Sequence, residues 1–327
     1  MGFGSSLPLG TQGSAGLEQS VLGAPSARTC LSSGDSSGVR VTGEAVWAHR
    51  TTSLRGLDFG FAVRCTDAHV GHYLEAVLSP LRSSVPASHW YSLVNASGGR
   101  VDLYLDRSRV GRFVDTRTAV GWLMWDINRA VLDASSEHLL FHAGGVQLGD
   151  SGVLLPAPSG SGKSTLVAAL VRAGLGYLSD ELVAITTRTG RLLPYPKPLT
   201  VKVGSFEALG ELRPTSVFEL AGRAGLAGLA GDEWHLPPDG IRQGGTSREC
   251  EPRFVVVPRY VRDGVTALRR MEPATAFLAL ATNTVNFSSH GPRAAQLVGE
   301  LVERCDCYEL EMSDLDESCK LLLALAE

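Results

Sequence analysis

The chain has 327 residues, 44% of them hydrophobic, and a formal net charge of −4. That length holds one large or two medium domains with a sizeable core. The slightly acidic balance excludes the electrostatic footprint of a nucleic-acid or anionic-membrane binder, and no apolar run reaches the length of a membrane span.

Residues 1–38 are rich in Gly, Ser, Ala and Pro and lack a hydrophobic period, which predicts a disordered leader. No charged segment followed by an apolar core marks a secretory signal, so a cytoplasmic protein is expected. Residues 39–136 read as a small α+β module. Short β-like runs fall at 39–41, 59–63, 90–94, 101–105 and 110–114, with turn chemistry at 95–99 and 106–108. A short helix is expected over 69–81, ending near Pro80. A longer one is expected over 116–135, where Val120, Leu123, Met124, Ile127 and Val131 recur at helical spacing.

Residues 137–327 form the second unit. It opens with Leu140-Phe141-His142-Ala143-Gly144-Gly145-Val146, a strand that meets the turn 149–152 and so forms a hairpin with the next apolar run, 152–156. Then comes Ala157-Pro158-Ser159-Gly160-Ser161-Gly162-Lys163-Ser164-Thr165, followed by the helical pattern Leu166, Val167, Leu170, Val171. Strand, Gly-rich loop and helix in that order make a phosphate-binding loop. Its small residues let backbone N–H groups curl around phosphate at a helix N-terminus. Lys163 supplies a point charge for the β/γ-phosphates, and Ser164 offers a hydroxyl to Mg²⁺. Ala157 stands where the pattern usually begins with Gly, which is harmless if its φ is negative.

Downstream, one strand-like run spans 177–185, with further short strands at 191–195 and 199–203. Residues 207–250 are Gly/Pro-rich and aperiodic, the mark of a mobile lid. Strands at 254–257 and 265–269 precede helices at 274–281, 292–305 and 313–326, the last with Ser313 as its N-cap. The six cysteines, at 30, 65, 250, 305, 307 and 319, fit no zinc spacing and read as free thiols. Only four lysines occur, and Lys163, Lys197 and Lys202 lie close together in sequence, which hints that these positions want an ammonium.

Asp180 and Glu181 follow the P-loop helix, where a P-loop enzyme keeps acids for metal and proton work. Asp180 is the expected proton acceptor, and Glu181 with Ser164 is the expected Mg²⁺ pair. His142 lies on the strand before the P-loop hairpin, from which it would approach Asp180 and tune its basicity. Arg242, Arg248 and Arg253 are candidate sources of added positive charge in the transition state.

The order His-Ala-Gly-Gly, Ala-Pro-Ser-Gly-Ser-Gly-Lys-Ser, Leu-Ser-Asp-Glu resembles the catalytic core of HPr kinase/phosphorylase and its relatives, including serine kinases of peptide-modifying gene clusters. The resemblance covers 138–206 well and 252–290 loosely, with Tyr195-Pro196-Lys197-Pro198-Leu199 and Asn283-Thr284-Val285-Asn286-Phe287 as recurrent marks. It implies a bacterial α/β protein with a compact P-loop kinase core of the HPr kinase/PEP carboxykinase type, preceded by the small α+β module. It further implies His142 as the family histidine and Asp180 as the base-like acid, with Glu181 where HPr kinases proper carry a second Asp. The expected function is ATP- and Mg²⁺-dependent phosphoryl transfer to a serine of a protein or peptide acceptor. The alternatives are a small-molecule kinase on the same scaffold and a nucleotide-binding regulator without transfer activity. A homo-oligomer stays open.

Overall fold

The computed structural model describes residues 46–205, 207–212 and 233–326. The leader expected at 1–38 and the run at 39–41 lie outside the described residues. The first sheet holds β1 (His49–Arg50), β2 (Leu54–Gly56), β3 (Phe59–Cys65), β4 (His89–Asn95), β5 (Val101–Leu105) and β6 (Ser108–Phe113). Its order is β1-β3-β4-β5-β6, with β2 paired to β3. Only β3 and β4 are parallel, and such a pair needs a crossover. Helix α1 (Ala68–Val77) supplies it, starting on Asp67, which accepts from the backbone N–H groups of His69 and Val70. The helix stops at Val77, four residues short of the expected end, and a 3₁₀ turn, Ser79–Leu81, carries Pro80.

Helix α2 (Thr116–Ala134) begins on Asp115, whose side chain accepts from Thr118 N at 2.7 Å. Val120, Leu123, Met124, Ile127 and Val131 are all buried, packed with Phe61, Val63, Leu103 and Phe113 of the sheet. Each fully buried side chain of this size contributes about 1.5–3 kcal/mol. The same core takes in Leu140, Leu182, Ala184 and Tyr195 from further along the chain. Helix α2 is thereby pressed against the edge of the second sheet.

That sheet contains β7 (His138–Leu148), β8 (Ser151–Pro156), β9 (Gly176–Ser179), β10 (Leu182–Thr186), β11 (Leu192–Leu193), β14 (Glu251–Tyr260), β15 (Ala267–Arg270) and β16 (Asp306–Met312). Its order is β11-β10-β7-β8-β14-β16-β15, with β9 also paired to β7. Strands β12 (Leu199–Lys202) and β13 (Glu233–Leu236) make a separate antiparallel ribbon. Because β8, β14 and β16 are parallel, their C-terminal ends emerge on one edge. Helix α3 (Lys163–Arg172) covers one face through Val167 and Leu170. Helices α4 (Pro273–Thr282) and α5 (Pro292–Arg304) cover the other through Ala276, Leu280, Leu297 and Leu301. Covered on both sides, β14 carries the continuous apolar stretch that such a strand requires. A methyl on Gly144 of β7 would lie 2.7 Å from Val167 Cγ2, so only glycine lets α3 sit this close.

Several elements differ from expectation. The run 177–185 breaks at Asp180-Glu181, because β9 and β10 pair with β7 in two registers, Val146↔Tyr177 and His142↔Leu182. Asp306–Met312 is a strand, although Cys307 alone drew notice there in the sequence. Helix α6 (Leu315–Leu323) is capped by Asp314, which accepts from Glu317 N at 2.7 Å, rather than by Ser313. Of the expected lid, 213–232 lies outside the described residues, while 233–250 contains β13 and a helical turn, Pro238–Ile241. Among the described residues the cysteines are free and buried, and no helix is long and apolar enough to cross a membrane.

Candidate functional site

The P-loop sits at the C-terminal end of β8 and opens α3. Gly160 and Gly162 adopt φ of +82° and +88°, a left-handed region that side chains resist. Positive φ at non-glycine residues among those described is confined to Leu57, Asp106 and Asp263, so Ala157 keeps an ordinary backbone and costs the loop nothing. Ser161 Oγ is buried and has no hydrogen-bond partner among the described residues. A buried hydroxyl without a partner is costly unless a ligand supplies one. Thr165 Oγ1 meets Ser205 Oγ at 2.5 Å.

Lys163 folds back onto its own loop, donating to the carbonyl oxygens of Ala157 at 2.5 Å and Pro158 at 2.9 Å. Burial pulls its ammonium down to about 8, against the pull of Asp180 and Glu181 in the other direction. A cation held in this way is poised to exchange neutral carbonyls for phosphate oxygens.

The corner between β9 and β10 places the two acids differently. Asp180 is 3% exposed and accepts from Ser164 Oγ at 3.0 Å. Its other oxygen faces Tyr177 Oη at 3.0 Å, a hydroxyl that also reaches the Lys197 carbonyl at 2.9 Å. Burial raises the Asp180 carboxyl above its ordinary value, with Lys197 opposing and Glu181 adding to the rise. Glu181 turns to Lys197 Nζ at 2.7 Å and Asn128 Nδ2 at 2.7 Å. Burial would raise its carboxyl too, but Lys197 and these hydrogen bonds hold it below the ordinary value. Tyr195 Oη donates to Asn128 Oδ1 at 2.9 Å and so fixes which way the amide points.

His142 lies opposite Leu182 in the β7–β10 register, and its backbone N–H donates to Asn283 O at 2.7 Å. Its ring makes no hydrogen bond to Asp180 among the described residues. Burial pulls the imidazole down to about 4, with Lys163 adding to the fall and Glu181 opposing it. His142 is thus a neutral imidazole that senses Lys163 and Glu181, which differs from the expected partnership with Asp180.

The three candidate arginines do not reach the site. Arg242 donates to the carbonyl oxygens of Val171 and Leu175, past the last turns of α3, at 3.1 and 2.9 Å. Ten residues of helix put that end about 15 Å from Lys163. Arg248 lies beside Gln147 and Arg253 pairs with Asp306, both at the N-terminal edge of the parallel strands, opposite the P-loop. In compensation, the fold delivers Asn128, Lys197, Tyr177 and Tyr195, to none of which the sequence alone attached a role. Two signals pointed to Lys197, the scarcity of lysine and the Tyr195-Pro196-Lys197-Pro198-Leu199 segment, which also holds Tyr195, but neither gave a role.

The Ser164 hydroxyl, which donates to Asp180 Oδ2, is the kind of P-loop oxygen that Mg²⁺ takes beside waters and phosphates. Glu181 is less suited, since Lys197 and Asn128 already occupy its Oε2. Among the described residues no group of three or more His, Cys, Asp or Glu could hold a metal.

No family model matches the chain, and no curated protein matches it. Among solved structures, the HPr(Ser) kinase/phosphatase from Coxiella burnetii aligns over 57% of this chain and 94% of its own, at 10% identity and a TM-score of 0.29. A score of that size does not by itself establish a shared fold. The chain is a mixed α/β protein with a P-loop, and its chemistry rests on its own residues.

Proposed function

We propose that this chain is an ATP-dependent phosphotransferase that moves the γ-phosphoryl group of Mg-ATP to a serine hydroxyl of a protein or peptide. The observation that carries the reading is the Ser164–Asp180 hydrogen bond of 3.0 Å at the mouth of a loop that also holds Lys163 and two left-handed glycines. Phosphate anchor, metal-facing hydroxyl and acid thereby converge on one helix N-terminus. The orphan Ser161 hydroxyl supports the same reading. The serine acceptor comes from the motif order shared with the HPr-kinase-like core.

Bound Mg²⁺ would neutralise charge on the β- and γ-phosphates and sit against Ser164. Lys163 leaves the carbonyls of Ala157 and Pro158 for the phosphates. The loop N–H groups and Ser161 hold the phosphate oxygens. Asp180, more basic than an ordinary carboxylate because it is buried, takes the proton of the attacking hydroxyl. Glu181, locked by Lys197 and Asn128, stays ionised and steadies the positive charge of Lys163.

The test joins calorimetry of Mg-ATP binding to labelled-phosphate transfer onto serine-containing peptides. Asp180→Asn should keep nucleotide affinity within a few-fold and lower transfer by roughly 10²–10⁴. Lys163→Ala should lower nucleotide turnover by about 10²–10³. Wild-type turnover in Lys163→Ala defeats the P-loop assignment. Collapse of Mg-ATP affinity in Asp180→Asn, with residual transfer normal at saturating Mg²⁺, makes Asp180 a metal ligand instead of the base.

A further inference from the structure

We propose that Tyr260 is the stacking platform for the base of the nucleotide, so that the base subsite lies at the C-terminal ends of β14 and β16. This rests on the reading that the P-loop takes a nucleoside triphosphate.

The sheet order sets the polarity of the site. β8 carries the P-loop and lies between β7 and β14. Beyond β7 is the Asp180 corner, through the pairing of β9 and β10 with β7. Ser164 and Asp180 meet on that side and mark the metal end of the phosphate chain, where the β- and γ-phosphates belong. The nucleoside must leave the loop on the other side, over β14 and β16. That is also where ligands of an open α/β sheet gather, outside the carboxyl ends of parallel strands.

Tyr260 is the last residue of β14 and faces Met312 in the register with β16. Met312 belongs to the core under α3, together with Phe254, Val256 and Leu310. Alternation along β14 puts Tyr260 on the same face as Phe254 and Val256, the α3 face. It lies past the area that α3 covers, and it is 57% exposed. A methyl built on Gly162, the last glycine of the P-loop, would sit 4.0 Å from Tyr260 Cβ and 3.1 Å from Met312 Cε. The tyrosine is therefore rooted beside the glycine that begins α3. Scattered exposed aromatics are ordinary, but this one stands at the rim of the phosphate loop on the side away from the Ser164–Asp180 pair. Below it Met312 is 5% exposed and closes the floor with a polarisable thioether. The turn that follows, with Asp263 at φ +57°, carries Val265 at 74% exposure, a second apolar surface at the same rim.

An aromatic ring stacks on any base, because every base has a π-face. The subsite therefore favours a nucleotide over inorganic polyphosphate without choosing adenine from guanine.

The experiment is calorimetry of the full chain with Mg-ADP and, separately, with Mg-tripolyphosphate, for wild type, Tyr260→Ala and Tyr260→Phe. Tyr260→Ala should weaken ADP by about 5- to 100-fold and leave tripolyphosphate within about 2-fold. Tyr260→Phe should keep the wild-type ADP affinity, since the ring remains. Unchanged unfolding temperature in both variants is expected of so exposed a residue. Equal ADP affinity in wild type and Tyr260→Ala overturns the base platform and leaves the P-loop reading intact. Equal weakening of ADP and tripolyphosphate also overturns it, because Tyr260 then shapes the loop rather than the base subsite. Wild type that binds neither ligand sinks the P-loop reading, and the platform with it.

Discussion

The two buried lysines should respond oppositely to the same substitution. Lys163 is 5% exposed, and burial takes its ammonium from 10.5 to about 8. That drop corresponds to ~3 kcal/mol by which the fold disfavours the charged form at neutral pH. Lys163→Met removes the cost and loses two hydrogen bonds to carbonyls, worth about 1 kcal/mol each. The remainder is a gain of ~1 kcal/mol, or about 2 °C in Tm for a chain of this size. Lys197 is 2% exposed and lies 2.7 Å from Glu181. Lys197→Met strands that carboxylate, a change that costs about 3–5 kcal/mol in a fully buried pair. Glu181 retains 26% exposure, so the low end, ~3 kcal/mol or about 6 °C, is expected. Urea and thermal unfolding of the three proteins, with and without Mg-ADP, measure both effects. ADP at about 100 times its Kd should stabilise wild type by ~2.7 kcal/mol and Lys163→Met hardly at all. A Lys163→Met protein more than 1 kcal/mol less stable than wild type, or a Lys197→Met protein as stable as wild type, would refute this account of the two charges. The contrast is what the proposed function calls for, since a cation meant for phosphate rests on neutral carbonyls until its ligand arrives.

Acid should weaken the fold before it reaches the ordinary carboxylate range. Burial takes both His142 and His235 from 6.5 to about 4, so the unfolded chain binds more protons than the folded one between those values, and stability falls as pH drops through that window. Each contributes a loss of roughly 2 kcal/mol by pH 5, while Asp180, whose carboxyl is raised, opposes part of it. Urea midpoints at pH 7 and pH 5 read the sum, and equal midpoints would contradict it. In the P-loop, Gly162→Ala forces an L-residue to φ +88° and should cost about 1–3 kcal/mol together with nucleotide affinity. Gly299→Ala in α5, with open space around it, should stabilise by about 0.5–1 kcal/mol. Calorimetry and melting compare the pair, and a neutral Gly162→Ala would show that the loop backbone tolerates a side chain.

Local chemistry made much of this protein legible. The P-loop is a contiguous nine-residue segment whose strand, glycines and helix are all neighbours in sequence, so spacing alone located it. The buried face of α2 followed from its 3.6-residue period, and β5 was bounded by turn residues on both sides. What the sequence could not decide depends on pairing between distant strands. Asp180 is expected at a strand end facing the phosphates, and Glu181, its neighbour, on the other side of the strand. Their true partners, Ser164 for one and Lys197 with Asn128 for the other, appear only when β9 and β10 take separate registers on β7. Arg242 carried the right charge for catalysis, yet α3 is long enough to hold it at the far end. Asn128 sits 53 residues from Glu181, on helix α2, and nothing in its own neighbourhood marks it. Side-chain type and local period are written in short segments of chain. Which charges meet is set by how sheets and helices stack, and that stacking is a property of the whole fold.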